Sequence, residues 1–207
     1  MAIEIVLFDL GGVLIELADI RSMGRFFGSH PEEEIWRRWL GCPWVRRFER
    51  GHCSADEFAC GMVESWAMEA SPETFLDAFV RWPRGLMPGA RDLAQAARAR
   101  LAIGCLSNTN VLHAERHASE EAVYSLFDHR FLSHELGLVK PDREIFEHVL
   151  AELGCPASNV LFLDDNQLNV DGALAAGLQA ERTRGIAAVR TALALHGIQL
   201  DAARSKP

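Results

Sequence analysis

Apolar residues along this chain fall into two interleaved patterns. Short unbroken runs stop abruptly at polar residues, and between them lie stripes spaced three and four apart. Residues 3–8 (Ile-Glu-Ile-Val-Leu-Phe) stop at Asp9 and a Gly-Gly turn, as a buried strand does. Residues 101–106 stop at Ser107-Asn108, residues 130–132 near Ser133-His134, and residues 160–163 at Asp164-Asp165, with a weaker run at 178–182. The stripes predict helices over 90–100 (Leu93, Ala96, Ala97), 143–153 (Ile145, Phe146, Val149, Leu150, Leu153) and the alanine-rich 170–176. Strand alternating with helix implies parallel pairing, right-handed crossovers and an α/β fold with a doubly wound sheet.

Residues 16–86 break this rhythm. They hold Trp36, Trp39, Trp44, Trp66 and Trp82, clusters of Phe, and the helix-capping signals Ser54-Ala-Asp-Glu57 and Ser71-Pro-Glu-Thr74, with no strand-like run. The expected organisation is a core domain of residues 1–15 and 87–207 carrying a helical insertion at 16–86. The tryptophans are read as its packing core. The end, from about Gln199 to Pro207, reads as a frayed tail.

Composition narrows the function. A net charge of −8 without a basic patch argues against a nucleic-acid partner, because phosphate binding draws on clustered Lys and Arg. No apolar stretch is long enough to span a bilayer, and Met-Ala-Ile-Glu-Ile lacks the basic region and cleavage site of a signal peptide, so a cytoplasmic location is expected. Cys42, Cys53, Cys60, Cys105 and Cys155 show neither zinc-type spacing nor an even count, which suits reduced thiols.

In an open α/β sheet ligands bind beyond the carboxyl ends of the strands, and this chain collects its polar residues there. Singly, each has a plain explanation: Asp9 can begin a turn, Ser107 and Asn108 can cap a helix, and so can Asp164-Asp165-Asn166. Lys140 fits such an explanation worse, since a cation just before a helix opposes its dipole unless an anion lies nearby. Asp9 and Asp165 on adjacent strands would form an anionic pocket that needs a cation, for which Mg²⁺ is the natural candidate.

Four segments in order carry a resemblance. Phe-Asp-Leu-Gly-Gly-Val (8–13), Leu-Ser-Asn-Thr-Asn (106–110), Gly-Leu-Val-Lys-Pro (137–141) and Phe-Leu-Asp-Asp-Asn (162–166) resemble the motifs of haloacid dehalogenase superfamily hydrolases, across essentially the whole chain. The insertion resembles that family's helical type-1 cap, and the detail of the second and third motifs is similar to bacterial sugar phosphatases acting on α-glucose 1-phosphate. The resemblance implies a Rossmann-like core and a phosphatase of small phosphorylated metabolites, monomeric or homodimeric. It implies that Asp9 is the nucleophile, that Ser107 and Asn108 hold the phosphoryl oxygens, and that Lys140 neutralises charge on both nucleophile and phosphate. Asp9, Asp165 and the carbonyl of Gly11 would ligate Mg²⁺, and Asp164 would anchor Lys140 or act through water. Asn169 and Asp171 are further candidates around the ion. Arg47, Glu49, Arg50 and His52 form a polar stretch of the insertion with access to the site or, on the blander reading, a solvated helix end.

One position departs from the family. Its first motif usually carries a second aspartate, which protonates the leaving group; here Gly11 stands in that place. A positioned general acid is worth about 10²- to 10⁴-fold, so either the substrate leaves as a stable oxyanion or another side chain donates, with His113 and Glu16 nearest in sequence. The same departure admits two alternatives. One is a metal-independent dehalogenase; the other is a non-catalytic member binding a phospho-ligand or a protein.

Overall fold

The computed structural model describes residues 2–19, 24–28, 30–120 and 122–200. In chain order β1 (Ile5–Phe8) leads to β2 (Ile15–Leu17) and then to five helices, α1 (Gly24–Phe27), α2 (Glu32–Gly41), α3 (Pro43–Glu49), α4 (Ala55–Ser65) and α5 (Pro72–Val80). The chain returns through β3 (Pro83–Leu86) to α6 (Ala90–Arg98), β4 (Ala102–Ser107), α7 (Val111–Glu120), β5 (His129–Leu132) and α8 (Ser133–Leu136). It finishes with α9 (Arg143–Leu153), β6 (Val160–Asp164), α10 (Gln167–Ala175), β7 (Gln179–Arg182) and α11 (Gly185–Leu195). All five apolar runs are strands of one parallel sheet, ordered β5-β4-β1-β6-β7.

Alternation along these strands sends successive side chains to opposite faces, and both faces are covered. Val6, Phe8, Ile103, Cys105, Leu161 and Leu163 pack against Leu93 and Ala97 of α6 and Val189 and Leu193 of α11. Ile5, Leu7, Leu106, Val160 and Phe162 pack on the other side against Ile145, Phe146 and Val149 of α9 and Ala173 of α10. Burial on both sides explains why the runs of the central strands β4, β1 and β6 are almost continuously apolar.

The inserted helices enclose a cluster of their own, with Phe26, Phe27, Trp39, Phe48, Phe58, Met62, Phe75, Phe79 and Trp82 buried and Trp36, Trp44 and Trp66 packed against it. The tryptophans are thus packing residues, as their clustering suggested. Ser54 forms the expected capping box, accepting from the Glu57 backbone N–H while the Glu57 carboxylate accepts from the Ser54 N–H. The expectation of no strand in 16–86 is corrected: the two ends of that segment pair as an antiparallel ribbon, β2 with β3. Trp82 Nε1 donates to Ala18 O at 2.7 Å beside it. The ribbon escaped notice because Ile-Glu-Leu and Pro-Arg-Gly-Leu are too short to show alternation.

Candidate active site

Register builds the site. Phe8 of β1 lies level with Cys105 of β4 and Leu163 of β6, so the next residues, Asp9, Leu106 and Asp164, emerge side by side where the strand order reverses. Lys140 reaches this point from the segment before α9. Its ammonium has three N–H bonds and all three are used: to Asp9 Oδ1 at 2.7 Å, Asp164 Oδ2 at 2.7 Å and Leu106 O at 2.8 Å. The helix expected over 143–153 is α9, with Asp142 at its N-cap.

Asn108 fixes the backbone of Lys140 from both sides. Its Nδ2 donates to Lys140 O at 3.0 Å and its Oδ1 accepts from Lys140 N at 2.9 Å. Asp164 accepts from the Asn166 backbone N–H at 2.8 Å, from Lys140, and from Asn169 Nδ2 at 3.1 and 3.0 Å on its two oxygens. It is held as an anchor for the ammonium, one of the two roles expected of it, and Asn169 joins the site through it. Asp171 does not: it is exposed and accepts from Gln167 on the outside of α10.

Asp9, Asp164 and Asp165 each offer an oxygen within 4.8 Å of the others. One ammonium cannot balance three such carboxylates. Burial, opposed by Lys140 but reinforced by Asp164 and Asp165, pushes Asp9 up to about 8, and burial with Asp164 pushes Asp165 up to about 6. Burial works against a charged Lys140, yet Asp164 and Asp9 outweigh it and hold the ammonium protonated. An all-oxygen, partly charged donor set of this size fits a hard divalent cation such as Mg²⁺. Gly12 allows the close approach on which it depends, since a Cβ there would overlap Asp165 Oδ2.

Beside the carboxylates a cleft is lined by Leu10, Gly11, Leu17, Ser107, Asn108 and His113, among others. Ser107 is buried. His113, a candidate proton donor from sequence, is locked: Nε2 sits 2.8 Å from Phe79 O and Nδ1 3.1 Å from Asn110 Nδ2. Burial lowers its pKa to about 4, so it is neutral and its N–H is committed to a carbonyl. The other candidate, Glu16, is exposed on the ribbon beside Arg84.

The polar stretch of the insertion divides. Arg47 lies over the Trp44 ring, and His52 is exposed next to Gly137. Arg46 donates to both oxygens of Asp142, at 2.9 and 2.6 Å, and Arg50 pairs with the same carboxylate. Glu49, between them, is half-buried and meets the side-chain amide of Asn108. Sequence reasoning gave Glu49 no role of its own; its one signal was an acid at a helix end followed by Arg50 and Gly51.

The chain is 28% identical to the pyrimidine 5'-nucleotidase YjjG of Escherichia coli (strain K12) over 75% of this chain and 76% of that protein. It is 24% identical to a D-ribitol-5-phosphate phosphatase of Bacteroides thetaiotaomicron over 81% and 85%. It is also 28% identical to the drimenol cyclase drtB of Aspergillus calidoustus over 86% of this chain, which spans only 33% of that longer protein. Among solved structures, a HAD family enzyme from Bacteroides thetaiotaomicron in complex with magnesium and inorganic phosphate superposes with a TM-score of 0.71 at 26% identity, covering 88% of this chain and 95% of that one. Residues 3–177, which contain every group described above, match the haloacid dehalogenase-like hydrolase family, and to that family the chain belongs.

Proposed function

We propose that this protein is a Mg²⁺-dependent phosphatase that moves the phosphoryl group of a small phosphorylated metabolite, a sugar phosphate above others, to Asp9 and then to water. The observation that carries the reading is Lys140, buried with all three N–H bonds fixed between Asp9, Asp164 and Leu106. A carboxylate so held is aimed as a nucleophile, and the ammonium stands ready for charge that develops on the phosphoryl oxygens. Ser107 and the backbone N–H of Asn108 hold those oxygens. Asp9, Asp165 and the carbonyl of Gly11 would hold the Mg²⁺, with Asp164 behind them, and the ion would neutralise the anionic substrate as it meets the carboxylates. Residues 1–15 and 87–207 form the catalytic core in this reading, and residues 16–86 a cap that closes over the substrate and excludes water.

The relatives named above support phosphate monoesters as the substrate class, and Mg²⁺ accompanies phosphate in a solved relative. Release of inorganic phosphate from a panel of sugar phosphates, nucleotides and aryl phosphates, with Mg²⁺ or with EDTA, tests the proposal. Turnover should require Mg²⁺ and fall at least 10³-fold in Asp9→Asn, about the effect of losing a nucleophile. An active Asp9→Asn variant would overturn the mechanism, and metal-independent release of halide from a haloacid would favour a dehalogenase.

A further inference from the structure

Breaking a phosphate ester is faster when a proton reaches the departing oxygen, and the groups around Asp9 differ sharply in whether they can supply one. Lys140 has no N–H to spare. Asp164 is an acceptor for Lys140, Asn166 and Asn169, and Asp165 belongs to the acidic trio. The single N–H of His113 is bound to Phe79 O, Glu16 lies on the outer ribbon, and Gly11 has no side chain to offer.

Glu49 ends α3 with its carboxyl half-buried against the core. The groups that face it are Arg46, one turn earlier on its own helix, and Lys140 and Asn108 from the core. Its place is fixed from both flanks. Arg46 and Arg50 clamp Asp142, two residues past Lys140, and Gly51 lies so close to the core that a Cβ there would be 2.6 Å from His134 O.

We propose that Glu49 is the proton donor to the leaving group, delivered to the site by the inserted helices. The proposal deepens the phosphatase reading and rests on it. As the bond from phosphorus to an Asp9 oxygen forms, the ester P–O bond breaks, its electron pair stays on the departing oxygen, and the Glu49 proton joins that oxygen to give the free alcohol. In the second half, the Glu49 carboxylate takes a proton from the water that attacks phosphorus. Asp9 leaves as a carboxylate, inorganic phosphate forms, and Glu49 regains its proton. Burial raises the Glu49 carboxyl to about 7, with Lys140, Arg46 and Asn108 opposing the rise. Both forms are then populated near neutral pH, as a group that donates and then accepts requires.

The test compares a poor leaving group, a sugar 6-phosphate or glycerol phosphate, with a good one, 4-nitrophenyl phosphate. In Glu49→Gln, kcat for the alkyl ester should fall roughly 10²-fold or more, and for the aryl ester by less than about tenfold. Glu49→Asp should lie between wild type and Gln. Gly11 lines the same cleft as Asn108, and a Cβ there meets only the Leu17 side chain at 3.5 Å. Gly11→Asp added to Glu49→Gln should therefore restore part of the alkyl turnover, which repair of packing would not do. Equal losses on both substrates, or a loss under about tenfold on the alkyl ester, would overturn the proposal and leave the phosphatase reading intact. Wild-type protein inert toward every ester with Mg²⁺ would sink both. If Glu49→Gln does not fold, the wild type decides: kcat/KM should depend weakly on leaving-group pKa across an alkyl and aryl series, and a steep dependence overturns the assignment.

Discussion

Lys140 shows how much one side chain organises. Removing it from water is costly, and the cost is met only because each N–H has an acceptor and two of those acceptors are carboxylates. Gly12 matters for the opposite reason, by being absent as a side chain. Its φ is +73°, in the left-handed region that favours glycine, and a Cβ would overlap Asp165 Oδ2. Gly12→Ala is expected to raise the Mg²⁺ concentration for half-maximal activity by tenfold or more while lowering stability by only about 1–2 kcal/mol. A metal titration of activity beside a thermal melt checks both. At this scale Asp9, Lys140 and Asp164-Asp165 were legible because each ends an apolar run or stands before a proline. The silence of His113 and the burial of Glu49 were not, because both depend on contacts between insertion and core: Phe79 O against His113 in one case and Glu49 against Asn108 in the other.

Among the elements, α3 carries the charged contact between the inserted helices and the core beside Lys140. Arg46 on α3 and Arg50 at its C-cap share Asp142, with the side chains roughly a third exposed, and Arg46 Nη2 reaches both carboxylate oxygens. Asp142→Ala should release this clamp, raising KM severalfold with a smaller change in melting temperature. The double variant Arg46→Ala/Asp142→Ala should lose less than the sum of the single changes, so steady-state kinetics on the four proteins measures the coupling. The three central strands β4, β1 and β6 could be read from sequence since each is an apolar run buried on both faces, whereas the edge strands β5 and β7 carry polar residues and gave weaker signals. The β2–β3 ribbon could not, because its partners lie far apart in the chain and Pro83 and Gly85 obscure the pattern.

For the whole molecule, Asp9 and Asp165 shape how stability responds to pH. Asp9 and Asp165 keep protons in the folded state up to about 8 and about 6, against an ordinary value of 3.8, so the unfolded chain releases them first and stability falls as pH rises through that window. His113 acts oppositely: held neutral down to about 4 against 6.5, it adds stability as pH rises toward 6.5. Between about pH 6.5 and 8 the Asp9 effect is therefore left dominant, and Glu49, raised to about 7 against 4.5, adds to it with the same sign in the lower part of that interval. The melting temperature of metal-free protein should drop across this interval, Mg²⁺ should raise it more at pH 8 than at pH 6.5, and Asp9→Asn should flatten the metal-free profile. Calorimetry with and without Mg²⁺ provides the check, and a melting temperature that climbs from pH 6.5 to 8 without metal would contradict the charge balance drawn here.

The packing of the inserted helices also gives the protein a built-in optical probe. All five tryptophans lie between positions 36 and 82, while the single tyrosine, Tyr124, sits in the other part of the chain. Emission excited at the red edge therefore originates wholly in the segment that brings Glu49 and the Asp142 clamp to the core. Trp36 stacked on Trp82 lies where that segment joins the β2–β3 ribbon, with the indole N–H of Trp82 bonded to Ala18 O. Unlabelled protein thus carries its own gauge of that joint, and circular dichroism, which averages over every helix, supplies the independent trace against which to read it.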